Sequence, residues 1–158
     1  MINYDLYPSV FGDIYIYEFS KNDYRISFLK YEAKKEEGEV FKLFHSLLDC
    51  YFDKSKIDLS AALNYIKITD FQRKVYSTLL NISDYGKVIT YKGLGDKVKE
   101  IYQHNISYQA IGHALHLNPL PLLIPCHRVI KKDGIGEYRF GKEMKKQILS
   151  YEGLVLND

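Results

Sequence analysis

The residues best suited to chemistry in this chain are consecutive: Pro125-Cys126-His127-Arg128-Val129. A cysteine reacts as its thiolate, and a neighbouring base or cation is what generates that form. His127 supplies the base. Side chains of adjacent residues do not ordinarily bond each other, so a water or a bend in the chain must connect thiol and imidazole. A third group that orients the histidine would complete the unit, and Glu152 is the best-placed carboxylate. It follows a predicted helix over residues 142–151 whose Ile148 and Leu149 face inward, lies four residues after Ile148, and precedes Gly153, a helix-ending residue. Taken alone, the same residues also suit a packed Cys-His pair beside a solvated helix end.

The elements that must hold these groups follow from pattern. Residues 118–130 contain Pro119, Pro121 and Pro125 among Leu120, Leu122, Leu123 and Ile124. The prolines predict an extended path and the aliphatics an interior one, which together deliver Cys126 to a defined place. Upstream, Thr69-Asp70-Phe71-Gln72 has the form of a capping box and predicts a helix through Leu80 with Phe71, Val75 and Leu79 inward. Tyr85-Gly86-Lys87 is a turn. Thr90 then caps a helix with Leu94, Val98 and Ile101 on one side, and Ser107 caps a second with Ile111, Ala114 and Leu115 inward, ending at Asn118-Pro119. Two short helices joined by a tight connection have the outline of a helix-turn-helix. The first third of the chain reads as a hairpin, residues 12–19 and 24–29. A helix follows with Val40, Phe44, Leu47, Leu48, Tyr51 and Phe52 on one face. The fold class expected is therefore an α/β N-terminal domain, a small antiparallel sheet plus a helix, over residues 1–68, followed by a mainly α C-terminal domain over residues 69–158.

Composition narrows the function classes. A chain of 158 residues that is 46% hydrophobic forms a real core and is not disordered. Its two cysteines, Cys50 and Cys126, are too few for a disulfide framework or a four-cysteine zinc site, which points to a reduced, intracellular protein with Cys50 as a packing residue. No apolar run approaches the ~18 residues of a membrane span, and the opening residues lack the basic start of a signal peptide. A soluble, cytoplasmic protein is expected. The net charge of +2 conceals an asymmetry: residues 1–68 carry 9 Lys/Arg against 11 Asp/Glu, residues 69–158 carry 13 against 9. A polyanion would be met by the second half.

Several motifs in order, Phe71-Gln72, Tyr85-Gly86-Lys87, Thr90-Tyr91, Asn118-Pro119, Pro125-Cys126-His127-Arg128-Val129, Gly136-Glu137-Tyr138 and Tyr151-Glu152-Gly153, resemble the O6-alkylguanine-DNA alkyltransferases, also called methylated-DNA–protein-cysteine methyltransferases. The resemblance covers residues 69–158 and extends loosely to the rest. It implies that Cys126 attacks the alkyl carbon on O6 of a guanine flipped from duplex DNA, that His127 takes the thiol proton through a water, and that Glu152 holds the imidazole tautomer. It implies that Tyr91 gives a hydrogen bond or proton to the leaving purine, and that Asn118 ties the active-site segment to the helix-turn-helix. The implied substrate pocket contains Val129, Tyr138, Arg139, Phe140 and Leu115. Implied DNA contacts are Gln72, Thr90, Lys92, Ser107, Gln109, Ala110, Gly112 and Arg128. The thioether product has no easy leaving route, so the implied protein is consumed by one reaction. It needs no metal or organic cofactor and works as a cytoplasmic monomer, away from membranes, in the minor groove of double-stranded DNA.

The sequence departs from the family in three places. Gln109 stands where the family pushes an arginine into the vacated base stack, so a Gln109→Arg variant is expected to bind or repair duplex DNA better. The connection over residues 99–106 is longer than usual. Phe140 replaces a glycine at the pocket rim and is expected to favour methyl over benzyl substrates. The zinc site of some relatives does not transfer, because no cysteine precedes Cys50. Two other classes compete: a lesion-binding relative without transfer activity, which would replace the cysteine, and a thiol hydrolase or redox sensor, which would not need the DNA-facing residues.

Overall fold

Tyrosines and isoleucines that alternate along the first residues build strands whose two faces differ. In the computed structural model, which describes residues 2–103 and 105–157, they form β1 (Asn3–Ser9), β2 (Gly12–Ser20) and β3 (Asp23–Ser27), with the short β4 (Lys34–Lys35) beyond them. The sheet order is β3-β2-β1-β4; β1 to β3 pair antiparallel and β4 joins β1 in parallel. The predicted hairpin is β2 and β3. Strand β1, with Tyr4, Leu6 and Tyr7, and the charged β4 enlarge it. His104, in the predicted connection of residues 99–106, lies outside the described residues.

Ile14, Ile16, Tyr24 and Ile26 are buried, and the Tyr24 ring meets Phe41 and Phe44 of α1 (Glu39–Phe52) with centroids 5.4 and 5.6 Å apart. The buried stripe of α1 is Phe41, Phe44, Leu47, Leu48 and Tyr51. Val40 and Phe52, expected on this face, are only half-buried, because the stripe centres on Phe41 and Phe44. Cys50 is half-buried too, at the edge of the face and not within it. A short 3-10 turn, Ala62–Tyr65, interrupts the connection after α1, and Leu59, Ala62 and Ile66 around it are buried.

Helix α2 (Asp70–Ile82) starts with the predicted capping box: Thr69 Oγ1 accepts from the Gln72 amide, and Gln72 Oε1 accepts from the Thr69 amide. Val75 and Leu79 are buried, whereas Phe71 in the exposed first turn is half-buried. Strand β5 (Ile89–Thr90) leads directly into α3 (Tyr91–Tyr102), capped by Thr90, and α4 (Tyr108–His116) is capped by Ser107. Ile101 is 52% exposed, since it falls in the last turn of α3, past the buried Leu94 and Val98. The helix pair packs closely because Gly95 is bare: a Cβ there would lie 2.7 Å from the Tyr108 ring. Tyr76 of α2 donates to the Ala114 carbonyl of α4 at 2.6 Å, joining the third helix to the pair.

Contacts group the chain into two units. One runs to Lys67 and also takes in Pro119–Leu123, with the Ile26 amide bonded to the Pro119 carbonyl at 2.8 Å; the other comprises Ile68–Asn118 and the chain from Ile124 onward. Among the described residues no helix is long and apolar enough to cross a membrane.

Candidate active site

The proline-rich segment is interior, as its aliphatics imply, but it is not extended. Leu122 takes a left-handed conformation, φ 74°, and residues Cys126–Arg128 coil into a 3-10 turn in which the Arg128 amide bonds the Pro125 carbonyl at 3.0 Å. The prolines restrict only their own φ angles and the residue before each; Leu122, between two such positions, is where the path reverses. From the turn the chain enters β6 (Val129–Ile130), which pairs in parallel with β5. That pairing sets the 3-10 turn beside the start of α3. Hence Tyr91, the first residue of α3, and Cys126 line one cavity.

The cavity measures about 290 Å³, with Cys126 and Tyr138 among its lining. From α4 it receives Gly112, Leu115 and His116, and from the chain after β6 Lys131, Glu137 and Arg139. Asn118, just past the end of α4, donates from Nδ2 to the Ile124 carbonyl at 2.8 Å and to Cys126 Sγ at 3.1 Å. One amide therefore fixes both the turn and the nucleophile. Burial pushes the Cys126 thiol up from its ordinary value, and the Asn118 hydrogen bond, Lys145 and Arg139 act against that rise.

Behind the thiol the charges interlock. His127 and Glu152 are buried, with Nε2 and Oε2 2.5 Å apart. The other carboxylate oxygen accepts from Arg128 Nε at 2.8 Å and from the Gly86 amide at 3.0 Å. Burial would raise the Glu152 carboxyl, but the hydrogen bonds from His127, Arg128 and Gly86 outweigh it and hold it down at about 2. Burial also lowers His127, against the opposing pull of Glu152, so the imidazole is neutral. An ionised carboxylate facing Nε2 assigns the proton to that nitrogen and leaves Nδ1 as the basic one.

Lys145 of α5 (Lys142–Tyr151) is fully buried and went unrecognised in the sequence. Its Nζ donates to the Val129 carbonyl at 2.6 Å and the Glu137 carbonyl at 2.9 Å, and burial lowers it to about 8. Its signal was the spacing of Lys145, Ile148, Leu149 and Glu152, which places all four on one helical face. The Glu137 carbonyl also accepts from the Tyr91 hydroxyl at 3.3 Å.

Of the predicted site residues, Cys126, Tyr91, Tyr138, Arg139 and Leu115 line the cavity, and Asn118, His127 and Glu152 stand behind it. Three of the expected residues are placed differently from the other members of the site. Arg128, expected to touch DNA, is 7% exposed and turned inward onto Glu152, the Ser83 carbonyl and the Tyr85 ring. Phe140, expected to narrow the rim, is not in the cavity wall; its ring lies edge-on to Tyr138 with centroids 5.7 Å apart. Val129 is buried outside the cavity, its carbonyl already accepting from Lys145. Of the expected DNA contacts, Gln72 is engaged in its capping box and Ala110 is half-buried. Thr90 and Ser107 cap helices, Lys92 pairs with Asp96 at 2.8 Å, Gln109 is exposed, and Gly112 reaches the cavity. His116, Lys131 and Glu137 join the cavity without having been expected there. Among the described residues no group of three or more His, Cys, Asp or Glu side chains forms a metal site.

The family described as "6-O-methylguanine DNA methyltransferase, DNA binding domain" matches residues 70–154. The methylated-DNA–protein-cysteine methyltransferase of Sulfurisphaera tokodaii is 35% identical over 155 residues, covering 98% of this chain and 95% of that one. The solved O6-methylguanine DNA methyltransferase of Methanococcus jannaschii is 30% identical with a TM-score of 0.62, over 95% and 93% of the two chains. The Mycobacterium tuberculosis OGT solved in complex with DNA is similar in fold, with a TM-score of 0.70 at 24% identity over 96% and 93%. A helix-turn-helix ending in the asparagine that holds a buried cysteine defines a DNA-binding protein built around a thiol. The chain belongs to the O6-alkylguanine-DNA alkyltransferase family, the methylated-DNA–protein-cysteine methyltransferases.

Proposed function

We propose that the chain repairs alkylated DNA directly, with Cys126 taking the alkyl group from O6 of guanine and keeping it. The observation that carries this reading is the placement of Cys126 on the cavity wall, bonded to Asn118 at 3.1 Å, next in sequence to a buried histidine that is bonded to a buried glutamate.

The damaged guanine enters flipped out from the minor groove, because O6 is inaccessible within the stack. The Cys126 proton passes through a water to Nδ1 of His127, whose charge is balanced by Glu152. The thiolate attacks the alkyl carbon; the S–C bond forms as the C–O6 bond breaks, and the electron pair stays on the purine. Tyr91, whose hydroxyl burial keeps protonated, gives its proton to the departing guanine and recovers one from His127. Residues 69–158 serve as the DNA-binding and alkyl-transfer domain and residues 1–68 as scaffold. Lys92, Ser107, Gln109 and Gly112 face the duplex. The protein acts as a monomer in the cytoplasm, where the thiol stays reduced. A lesion binder without chemistry is not favoured, since the cysteine and its supporting groups are all present.

The reaction consumes the protein, so repaired lesions per chain should plateau at one when methylated duplex is in excess. Cys126→Ser should bind the duplex and repair nothing. Continued turnover beyond one, or repair by the serine variant, would overturn the reading.

A further inference from the structure

The helix-turn-helix has an electrostatic gap. Helix α4, Tyr-Gln-Ala-Ile-Gly-His-Ala-Leu-His, contains no lysine or arginine, although it contributes Gly112, Leu115 and His116 to the Cys126 cavity. The other cations around that cavity are already engaged. Lys131 pairs with Glu137 at 3.7 Å, and Lys145 is buried against two carbonyls.

Arg139 differs from both. It lines the same cavity yet is exposed, and among the described residues it makes no ion pair. Among the described residues its one hydrogen bond, Nη1 to the Asn118 carbonyl, is long at 3.4 Å, and its guanidinium lies 5.5 Å from the centroid of the Phe140 ring. Phe140 in turn abuts Tyr138. The guanidinium is thus held in place on one side while most of its N–H donors stay available, an arrangement suited to an incoming anion. A guanidinium presents a planar fork that matches phosphate oxygens two at a time.

We propose that Arg139 is the phosphate-binding residue of the cavity mouth, gripping the phosphate of the flipped nucleotide and supplying the charge that α4 lacks. The inference rests on the proposed function. A nucleotide turned out of a duplex remains attached to its own backbone, so a base inside the cavity brings its flanking phosphates to the rim. The exposure of Arg139 favours this partner over the purine, whose neighbours in the cavity are Tyr91, Tyr138 and Cys126.

The test compares two substrates: a duplex carrying O6-methylguanine, and the free base O6-methylguanine, which has no phosphate. For Arg139→Gln, the ratio of the duplex to the free-base transfer rate constant should fall about tenfold, the scale of one lost charge-assisted contact. In a Cys126→Ser background, the slope of log affinity against log salt should become shallower by about 0.9, one phosphate's worth. Arg139→Lys should recover most of that slope. Equal losses on both substrates would assign Arg139 to the purine or thiol and overturn the proposal, as would an unchanged ratio and slope. If the unaltered protein transfers no methyl from either substrate, the functional reading itself fails; if it transfers normally and Arg139→Gln behaves alike, only this inference does.

Discussion

Glu152 accepts hydrogen bonds from two separate stretches of chain: from His127 and Arg128 in the 3-10 turn, and from the Gly86 amide. Its folded pKa, about 2, lies below the ordinary carboxylate value, so the stabilisation it gives is complete above about pH 4.5. It is lost as the pH falls toward 2 and amounts to on the order of 3 kcal/mol. Glu152→Gln removes the counter-charge of the buried Arg128, and we expect it to cost about 3 kcal/mol at neutral pH. The variant should also flatten the acid limb of stability measured by urea unfolding at stepped pH; equal acid limbs in the two proteins would contradict this. The lowered His127 carries a kinetic counterpart. The transfer rate should hold as pH falls through 6.5, because the imidazole stays neutral there, and a midpoint at or above 6.5 in single-turnover rates would contradict it. Glu152 was legible in the sequence from helical spacing. Arg128 was not, because an arginine reads as a surface residue until its buried partner is known. Lys145 was overlooked for the same reason, despite sharing the inward face of α5 with Ile148.

At the scale of elements, the site depends on turns more than on helices. Gly86 has φ 78°, a region costly for side-chain-bearing residues, and a Cβ there would lie 3.0 Å from the Glu152 carbonyl oxygen. Gly86→Ala should lose about 1–3 kcal/mol by strain and overpacking and slow transfer, because the amide that bonds Glu152 moves with the turn. Thermal unfolding together with single-turnover rates checks it; a variant as stable and as fast as the parent would contradict the role given to the turn. Sequence reading was reliable where the cause is local. The caps at Thr69, Thr90 and Ser107 each need only a side-chain oxygen and an amide two or three residues on. It failed where the cause is distant: β1 and β4 exist through their pairing partners, and the reversal at Leu122 depends on surroundings that its own residue type does not encode.

Across the whole molecule, charge is modest and unevenly available. Residues 69–158 hold 13 Lys/Arg, but Arg128 and Lys145 are buried and several lysines are paired with acids on their own helices. DNA affinity should therefore fall gently with salt, with a log-log slope no steeper than about −4 at ~0.9 per phosphate. Fluorescence anisotropy from low to moderate salt measures it, and a much steeper slope would mean that the lysines converge on the duplex more tightly than their pairing suggests. The same view of the molecule separates its two cysteines, since Cys50 sits half-buried on α1 while Cys126 lines the cavity beside Asn118. The most direct test of the account is peptide mass mapping after incubation with a duplex containing O6-methylguanine. One added methyl group per chain, located on Cys126 with Cys50 unmodified, is the predicted result; an unmodified Cys126 after the lesion has been bound, or a methyl group on any other residue, would contradict it.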